Sequence, residues 1–106
     1  MSARRDNRVA AMQFLYQWSI NRNDDLAGEL HLFFKTLPED RDYYAFGEDL
    51  IHGAIANMDE IDSVIRKYLR NWDFDRIARI DLAILRLAIY EMLKRRDIPP
   101  VVSINE

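Results

Sequence analysis

The most informative part of the sequence is residues 76–96, RIARIDLAILRLAIYEMLKRR. Apolar side chains recur in it at helical spacing, which predicts a helix over residues 75–96. One apolar stripe comprises Ile77, Ile80, Ile84, Leu87 and Ala88, and it is broadened by Leu85, Ile89 and Met92. A helix that is apolar around so much of its circumference needs neighbours on two sides. We therefore expect it to be the most buried element of an all-α fold.

The chain before this stretch also has the composition of a helical protein. It contains few glycines and prolines and no alternation typical of strands. A first helix is predicted over residues 5–20, with a buried stripe of Ala11, Phe14, Leu15 and Trp18. A second helix, capped by Asp24 or Asp25, should end near Pro38. Its expected buried side chains are Leu26, Leu30, Phe33, Phe34 and Leu37.

A long third helix is predicted from Glu39 and Asp40, which suit a first turn, almost to Leu69. Gly53 lies within its apolar stripe and indicates a close approach of another helix. Asp59 is able to cap a fresh start, so a bend is expected near that residue. The polar segment NWDFD, residues 71–75, connects this helix to the last one.

The bulk composition indicates one soluble domain. The chain has 106 residues, of which 49% are hydrophobic and 31% charged, the ordinary balance of a globular protein. It has no cysteine, which excludes disulfides and thiolate metal sites and fits an intracellular setting. No apolar run approaches the roughly 20 residues that a membrane span needs, and no signal-peptide core follows the N-terminus. These features predict a cytoplasmic protein with no membrane partner.

Motifs for catalysis or metal binding are missing from the sequence. His31 and His52 are isolated, without a second histidine at helical spacing, so a transition-metal site is not expected. Asp73 and Asp75 form a D-x-D pair without the further ligands of a calcium loop, and we interpret them as helix caps. No nucleophile elbow or phosphate-binding glycine loop occurs. The sequence therefore predicts no enzyme activity, no metal and no cofactor.

Charge is unevenly distributed along the chain. Four arginines and one aspartate give residues 1–22 a net charge of +3. Eleven acidic and two basic residues give residues 23–64 a net charge of −9, and nine basic and six acidic residues return residues 65–106 to +3. Such segregation favours a basic surface on a chain whose net charge is −3.

The basic N-terminal helix is the part of the sequence that suggests a ligand. Residues 3–18 read ARRDNRVAAMQFLYQW, and four of their side chains fall near one line of the helix. Those four are Arg5, Arg8, Met12 and Tyr16, with Arg4 and Gln13 beside them. Arginine and tyrosine suit RNA, because arginine pairs with phosphate and both side chains stack on bases. The alternative is a solvated N-terminal turn with Tyr16 in the core.

Electrostatics alone makes this helix a weak RNA-binding element. Three phosphate contacts on a single strand give a salt slope of only about −2. Useful binding therefore requires a second surface or a second protein.

The sequence resembles the NusB family of bacterial transcription antitermination factors. The resemblance begins with R-R-x-x-R-x-x-A-x-Q-x-L-Y-x-W over residues 4–18 and continues with F-x-x-x-L-x-x-G over residues 46–53. It is strongest over residues 76–106, where A-I-L-R-L-A-I-Y-E precedes D-I-P and I-N-E. It implies an all-α fold of two small helical bundles packed across each other. Residues 1–69 would form the N-terminal bundle and residues 70–106 an incomplete C-terminal one.

The resemblance also implies a function. NusB-like proteins bind the boxA element of nascent RNA together with NusE, a ribosomal protein, and help RNA polymerase to read through terminators, notably on ribosomal RNA operons. By this resemblance the RNA-binding residues are Arg4, Arg5, Arg8, Gln13 and Tyr16. Asp81 and Arg86 would face NusE. A structural alternative is that Arg86 and Glu91 pair with each other, or with Asn105 and Glu106.

The chain departs from the family pattern at two places. Asp6 interrupts the arginine cluster, which weakens the electrostatic attraction for RNA. Ser103-Ile104-Asn105-Glu106 has the form of a capping box, after which family members continue into two further helices. We therefore expect a truncated chain in which Leu85, Ile89 and Met92 are exposed, leading to self-association or a loosened C-terminal half.

Two other functional classes fit the sequence. A NusB-like domain also precedes the catalytic part of a ribosomal-RNA cytosine methyltransferase, and this chain would then serve an enzyme. A structural, self-associating helical domain is the other alternative, with its arginines merely solvated.

Overall fold

The computed structural model describes residues 3–22, 24–70 and 73–94. Five α-helices occur in this order: α1 (Ala3–Ile20), α2 (Leu26–Lys35), α3 (Ala45–Ala56), α4 (Met58–Tyr68) and α5 (Arg79–Lys94). Short 3₁₀ helices, Arg41–Tyr44 and Phe74–Arg76, precede α3 and α5. The described residues include no strand, and no helix among them is long and apolar enough to cross a membrane. The predicted all-α class is confirmed.

Helix α1 lies at the centre, packed against α3 and α5. The stripe predicted for it is correct, because Ala11, Phe14 and Leu15 are fully buried and Trp18 is half-buried. Phe14 meets Phe33 of α2 edge to face, with 5.3 Å between the ring centroids. Burial of such side chains in one core supplies most of the stability of a small helical domain.

Helix α2 begins where its cap was predicted. The carboxylate of Asp25 accepts a hydrogen bond from the backbone N–H of Gly28 at 3.0 Å, which satisfies one of the free donors of the first turn. Leu30, Phe33 and Phe34 are buried, and Leu26 and Leu37 pack against the core. The helix ends at Lys35, before Pro38.

The prediction of one long third helix is wrong, because the structure divides this segment into three elements. Residues 41–44 form a 3₁₀ helix, and the α-helix breaks at Asn57 rather than Asp59. Asn57 leaves helical geometry, and its side-chain amide donates to the carbonyl of Gly53 at 2.8 Å. A side chain that competes locally for backbone groups favours the end of a helix, and this competition is not visible in the apolar pattern.

Gly53 performs the role predicted for it. A Cβ atom at this position would overlap the ring of Tyr90, so the absence of a side chain lets α5 approach α3. The same device recurs at Gly47, where a Cβ atom would come within 2.7 Å of the carbonyl oxygen of Asn7 on α1. These two glycines permit the close packing of α3 against both of its neighbours.

Helix α5 starts four residues later than predicted, because Phe74–Arg76 forms a separate 3₁₀ turn. The capping prediction is correct for Asp73, whose carboxylate accepts from the backbone N–H of Asp75 at 3.0 Å. The buried face of α5 contains Leu82, Ala83, Leu87 and Tyr90 together with two charged residues.

The predicted apolar stripe of α5 is partly wrong. Ile80 and Ile84 are exposed, Ile84 by 49%, and Met92 is exposed by 47%. The burial of Arg86 and Glu91 in ion pairs turns a different face inward and leaves these side chains outside. The expected exposure of Met92 is confirmed, whereas Leu85 and Ile89, which were expected to be exposed with it, are half-buried. The capping box at residues 103–106 and the partners proposed there for Arg86 and Glu91 lie outside the described residues.

Candidate nucleic-acid interface

The exposed side of α1 carries three of the five side chains that were predicted to bind RNA. Arg5, Gln13 and Tyr16 are exposed and, at 100° per residue, fall on one side of the helix. Val9 and Ile20 share this side and are exposed as well. Tyr16 is 37% exposed, so the alternative that placed it in the core is wrong. The helix thus presents a cation, an amide and an aromatic ring on a partly apolar surface.

A cleft of about 470 Å³ runs beside this side of α1. Arg5, Asp6 and Gln13 line one wall, and the segment that follows α2, including Pro38 and Glu39, lines the other. Its volume lies within the range of roughly 300–1,000 Å³ that is usual for ligand-binding clefts. The two predicted polar residues therefore face a concave surface.

Arg4 is exposed but oriented by an aromatic ring on α3. Its guanidinium carbon lies 4.4 Å from the ring centroid of Phe46, a cation–π contact. The contact restricts the long side chain without neutralising its charge. Arg4 can therefore meet an anion with less loss of conformational entropy than a freely rotating arginine.

Arg8 occupies a different environment from the other predicted residues. It is only 4% exposed, and its Nε donates to both carboxylate oxygens of Glu91 on α5, at 3.0 and 3.2 Å. Its guanidinium carbon also lies 5.5 Å from the ring centroid of Phe46. The structure therefore separates Arg8 from Arg5 and Tyr16, although all three lie near one line of an ideal helix.

The acidic residue inside the arginine cluster is engaged by a tyrosine. The hydroxyl of Tyr43 donates to Asp6 Oδ2 at 2.7 Å. This hydrogen bond is the main cause that raises the pKa of Tyr43 to about 12, because ionised tyrosine would lose it and face the carboxylate charge. Asp6 thus fixes the segment before α3 against α1.

The two residues predicted to face NusE differ in exposure. Asp81 is exposed in the first turn of α5. Arg86 is buried and binds Asp62 of α4 through two hydrogen bonds, each of 2.8 Å. The suggested pairing of Arg86 with Glu91 is therefore wrong: each binds a partner on another helix, Asp62 and Arg8 respectively.

Comparison with known proteins agrees with the resemblance in sequence. Residues 5–106 match the model of the NusB family. This chain belongs to the NusB family. Transcription antitermination protein NusB from Methylacidiphilum infernorum is 41% identical over 106 residues, covering all of this chain and 74% of that protein. The protein of the same name from Acetivibrio thermocellus is 42% identical, covering 97% of this chain and 70% of its own length.

The fold of this NusB-family chain has also been observed in a crystal. A protein chain in the crystal structure of a plectonemic RNA supercoil superimposes with a TM-score of 0.83 at 25% identity. The match covers 99% of this chain and 76% of that one. The NusB family is a family of antitermination factors and not of enzymes, as the sequence predicted.

Several residues that support the interface were missed from the sequence. Asn7 is buried, and its side chain accepts from the N–H of Gly47 at 2.7 Å and donates to the carbonyl of Tyr43 at 3.0 Å. Phe46 and Asp62 hold the predicted arginines. The sequence did contain one signal, an asparagine on the apolar face of a helix. Buried polar groups must be hydrogen-bonded, so this residue indicated a polar contact with another element. The described residues contain no cluster of three or more potential metal ligands.

Proposed function

We propose that this chain binds boxA-type single-stranded RNA together with the ribosomal protein NusE. Within an antitermination complex it then supports read-through of terminators by RNA polymerase, notably on ribosomal RNA operons. The observation that carries this proposal is the exposed side of α1, where Arg5, Gln13 and Tyr16 stand together.

Each of these side chains has a chemical task with single-stranded RNA. Arg4 and Arg5 pair with phosphate oxygens, which a guanidinium binds through two parallel hydrogen bonds. The ring of Tyr16 stacks on an unpaired base, and the amide of Gln13 donates to and accepts from a base edge. Arg8 contributes through the fold, since its guanidinium binds Glu91 and holds α1 against α5.

NusE supplies the second surface that the electrostatics requires. Asp81, exposed on α5, is the proposed direct contact with it. Arg86 acts indirectly in this proposal, because its bidentate bond to Asp62 fixes α5 on α4. A direct contact through Arg86 would require this buried pair to open, at the cost of leaving a carboxylate uncompensated.

The test is the binding of a fluorescent boxA oligonucleotide at several salt concentrations, with and without NusE. Arg4→Gln combined with Arg5→Gln should reduce the magnitude of the salt slope by about 1.4, or 0.7 for each lost phosphate contact. The control variant is Lys35→Gln combined with Lys67→Gln, which removes two exposed charges elsewhere and should leave the slope unchanged. Equal slopes for all three proteins would reject the proposal.

Self-association is a second candidate activity, favoured by the exposed apolar side chains of α5. Ile80, Ile84, Met92 and Leu93 are all exposed there, and exposed apolar surface that forms a contiguous patch is typical of protein–protein contacts. Sedimentation at increasing protein concentration tests it directly. A compact monomer at every concentration would contradict it.

A further inference from the structure

A basic cleft lies at the opposite end of α1 from the arginines of the proposed RNA-binding side. It has a volume of about 240 Å³ and is formed by the end of α1, the 3₁₀ turn Phe74–Arg76 and the start of α5. Arg22, Arg79 and Arg86 line it, and Asp75 is its carboxylate. Helix α1 has 18 residues, so its two ends are about 27 Å apart.

Two of the three arginines in this cleft keep their charge uncompensated. Arg86 is neutralised by Asp62, as described above. Arg22 and Arg79 are exposed, and neither is paired with a carboxylate among the residues that the structure describes. Against the single charge of Asp75, these two guanidiniums leave the cleft positive.

The guanidiniums of Arg22 and Arg79 are each held in place by an uncharged group, which leaves their charges uncompensated. The guanidinium carbon of Arg22 lies 4.3 Å from the ring centroid of Trp18. Arg79 donates from Nη1 to the carbonyl of Ser19 at 2.7 Å, which leaves its other N–H groups available. A cation that is oriented but not neutralised is suited to bind an anion. The positions of both side chains are thus prepared before a ligand arrives.

The neighbouring cleft has a different balance of charge. It has a volume of about 540 Å³, and it is lined by Arg22 and Arg66 together with three carboxylates, those of Asp59, Glu60 and Asp62. The smaller cleft has three guanidiniums and one carboxylate, so it is the more favourable of the two for an anion. The smaller volume lies below the usual range for a drug-sized molecule and matches a single phosphate group better than a cofactor.

We infer that this cleft binds a backbone phosphate of the same RNA strand, through Arg22 and Arg79. The inference rests on the proposed function, because it extends the RNA path from the N-terminal end of α1 to its C-terminal end. The few arginines at the N-terminal end of α1 bind RNA only weakly by themselves, and this cleft would supply part of the second binding surface. The ligand class is a phosphodiester of single-stranded RNA, recognised by charge and not by base sequence.

The test compares salt slopes for a single-stranded RNA long enough to reach both ends of α1. Arg22→Gln combined with Arg79→Gln should reduce the magnitude of the slope by about 1.4. The ratio of the wild-type binding constant to that of the variant should therefore depend on salt. Between 1 M and 0.1 M salt this ratio should increase about 25-fold. The same control variant, Lys35→Gln combined with Lys67→Gln, should behave as the wild type.

A second measurement avoids any effect on folding. Inorganic phosphate added to the wild-type chain should shift the NMR signals of the Nε–H groups of Arg22 and Arg79. It should leave that of Arg41 unchanged, because Arg41 is paired with Glu48 at 2.8 Å. Arg22→Gln alone, at the edge of the fold, should reduce the slope by about 0.7, and Arg79→Lys, which keeps the charge, should retain it.

The outcomes separate this inference from the proposed function. If only the double variant of Arg4 and Arg5 lowers the slope, the cleft does not bind RNA and the inference is wrong. If only the double variant of Arg22 and Arg79 lowers it, the cleft binds RNA and the proposed role of the α1 arginines is wrong. If neither lowers it, both are wrong, and an absence of phosphate shifts at Arg22 and Arg79 also contradicts the inference.

Discussion

The buried ion pair between Arg8 and Glu91 gives the sharpest prediction about this protein. It joins α1 to α5 across 83 positions of sequence, and the two side chains are only 5% and 1% exposed. Arg8→Met removes the cation and leaves a buried carboxylate, whereas Glu91→Leu leaves a buried guanidinium. Each single substitution should therefore destabilise the fold strongly, while the double substitution removes both charges together.

The expected magnitude follows from this burial. Breaking a buried pair by removing one partner costs about 3–5 kcal/mol, while replacing both partners by apolar residues is often neutral or stabilising. A domain of this size has a free energy of unfolding of about 5–15 kcal/mol. A loss of 3 kcal/mol should lower the melting temperature by roughly 12 °C or more. The two single variants should therefore be marginally folded and the double variant close to the wild type.

The assay is urea unfolding followed by far-ultraviolet circular dichroism for the wild type, both single variants and the double variant. The double-mutant cycle yields the coupling energy of the pair. A cost below about 1 kcal/mol for each single change would be typical of an exposed pair and would contradict a strongly coupled, buried one. So would a double variant whose loss equals the sum of the two single losses.

The same double variant tests how Arg8 contributes to RNA binding. If Arg8 acts by holding α1 in place, Arg8→Met combined with Glu91→Leu should bind RNA with an unchanged salt slope. A slope smaller in magnitude by about 0.7 would instead indicate that Arg8 contacts a phosphate directly.

Three further predictions concern packing, ionisation and association. Gly53→Ala should destabilise the fold by about 1–3 kcal/mol in urea unfolding, because steric overlap with α5 exceeds the helix propensity gained, about 1 kcal/mol; unchanged stability would show that α5 can yield. Tyr43 should titrate near pH 12 when its ionisation is followed by ultraviolet absorbance, and Asp6→Asn should lower the pKa of Tyr43. Folding raises the pKa of Tyr43, so its hydrogen bond to Asp6 stabilises the fold fully below the unfolded pKa of about 10. This stabilisation is lost as the pH rises through 12. Ile84→Lys should suppress concentration-dependent association in sedimentation; association that persists would place the contact elsewhere.

Helix positions and caps were largely predictable because their signals are local. The stripe of Phe14 and Leu15 and the caps at Asp25 and Asp73 depend on residues within one or two helical turns. The break at Asn57 lies two residues before Asp59, where the bend was expected. At the break, the side-chain amide and the backbone N–H of Asn57 both donate to the carbonyl of Gly53.

The sequence did not predict which face of α5 is buried or which of the predicted site residues are exposed, because both depend on contacts between helices. Apolar spacing assigned Ile80 and Ile84 to the buried face, but the ion pairs of Arg86 and Glu91 turned them outward. A hydrophobic pattern does not reveal which charged residues will find partners on other helices. The exposure of Ile80 and Ile84 follows from this rotation.

Local patterns in the sequence were enough to establish the all-α class, and its motifs were enough to indicate the family. The exposure of the clustered arginines became clear only from the packing of the helices: Arg4 and Arg5 face solvent, and Arg8 does not. Helical periodicity is a local property, so it fixes which residues share a side of one helix. The burial of a charge depends on whether a partner of opposite charge stands opposite it, and the partner of Arg8, Glu91, lies 83 residues away.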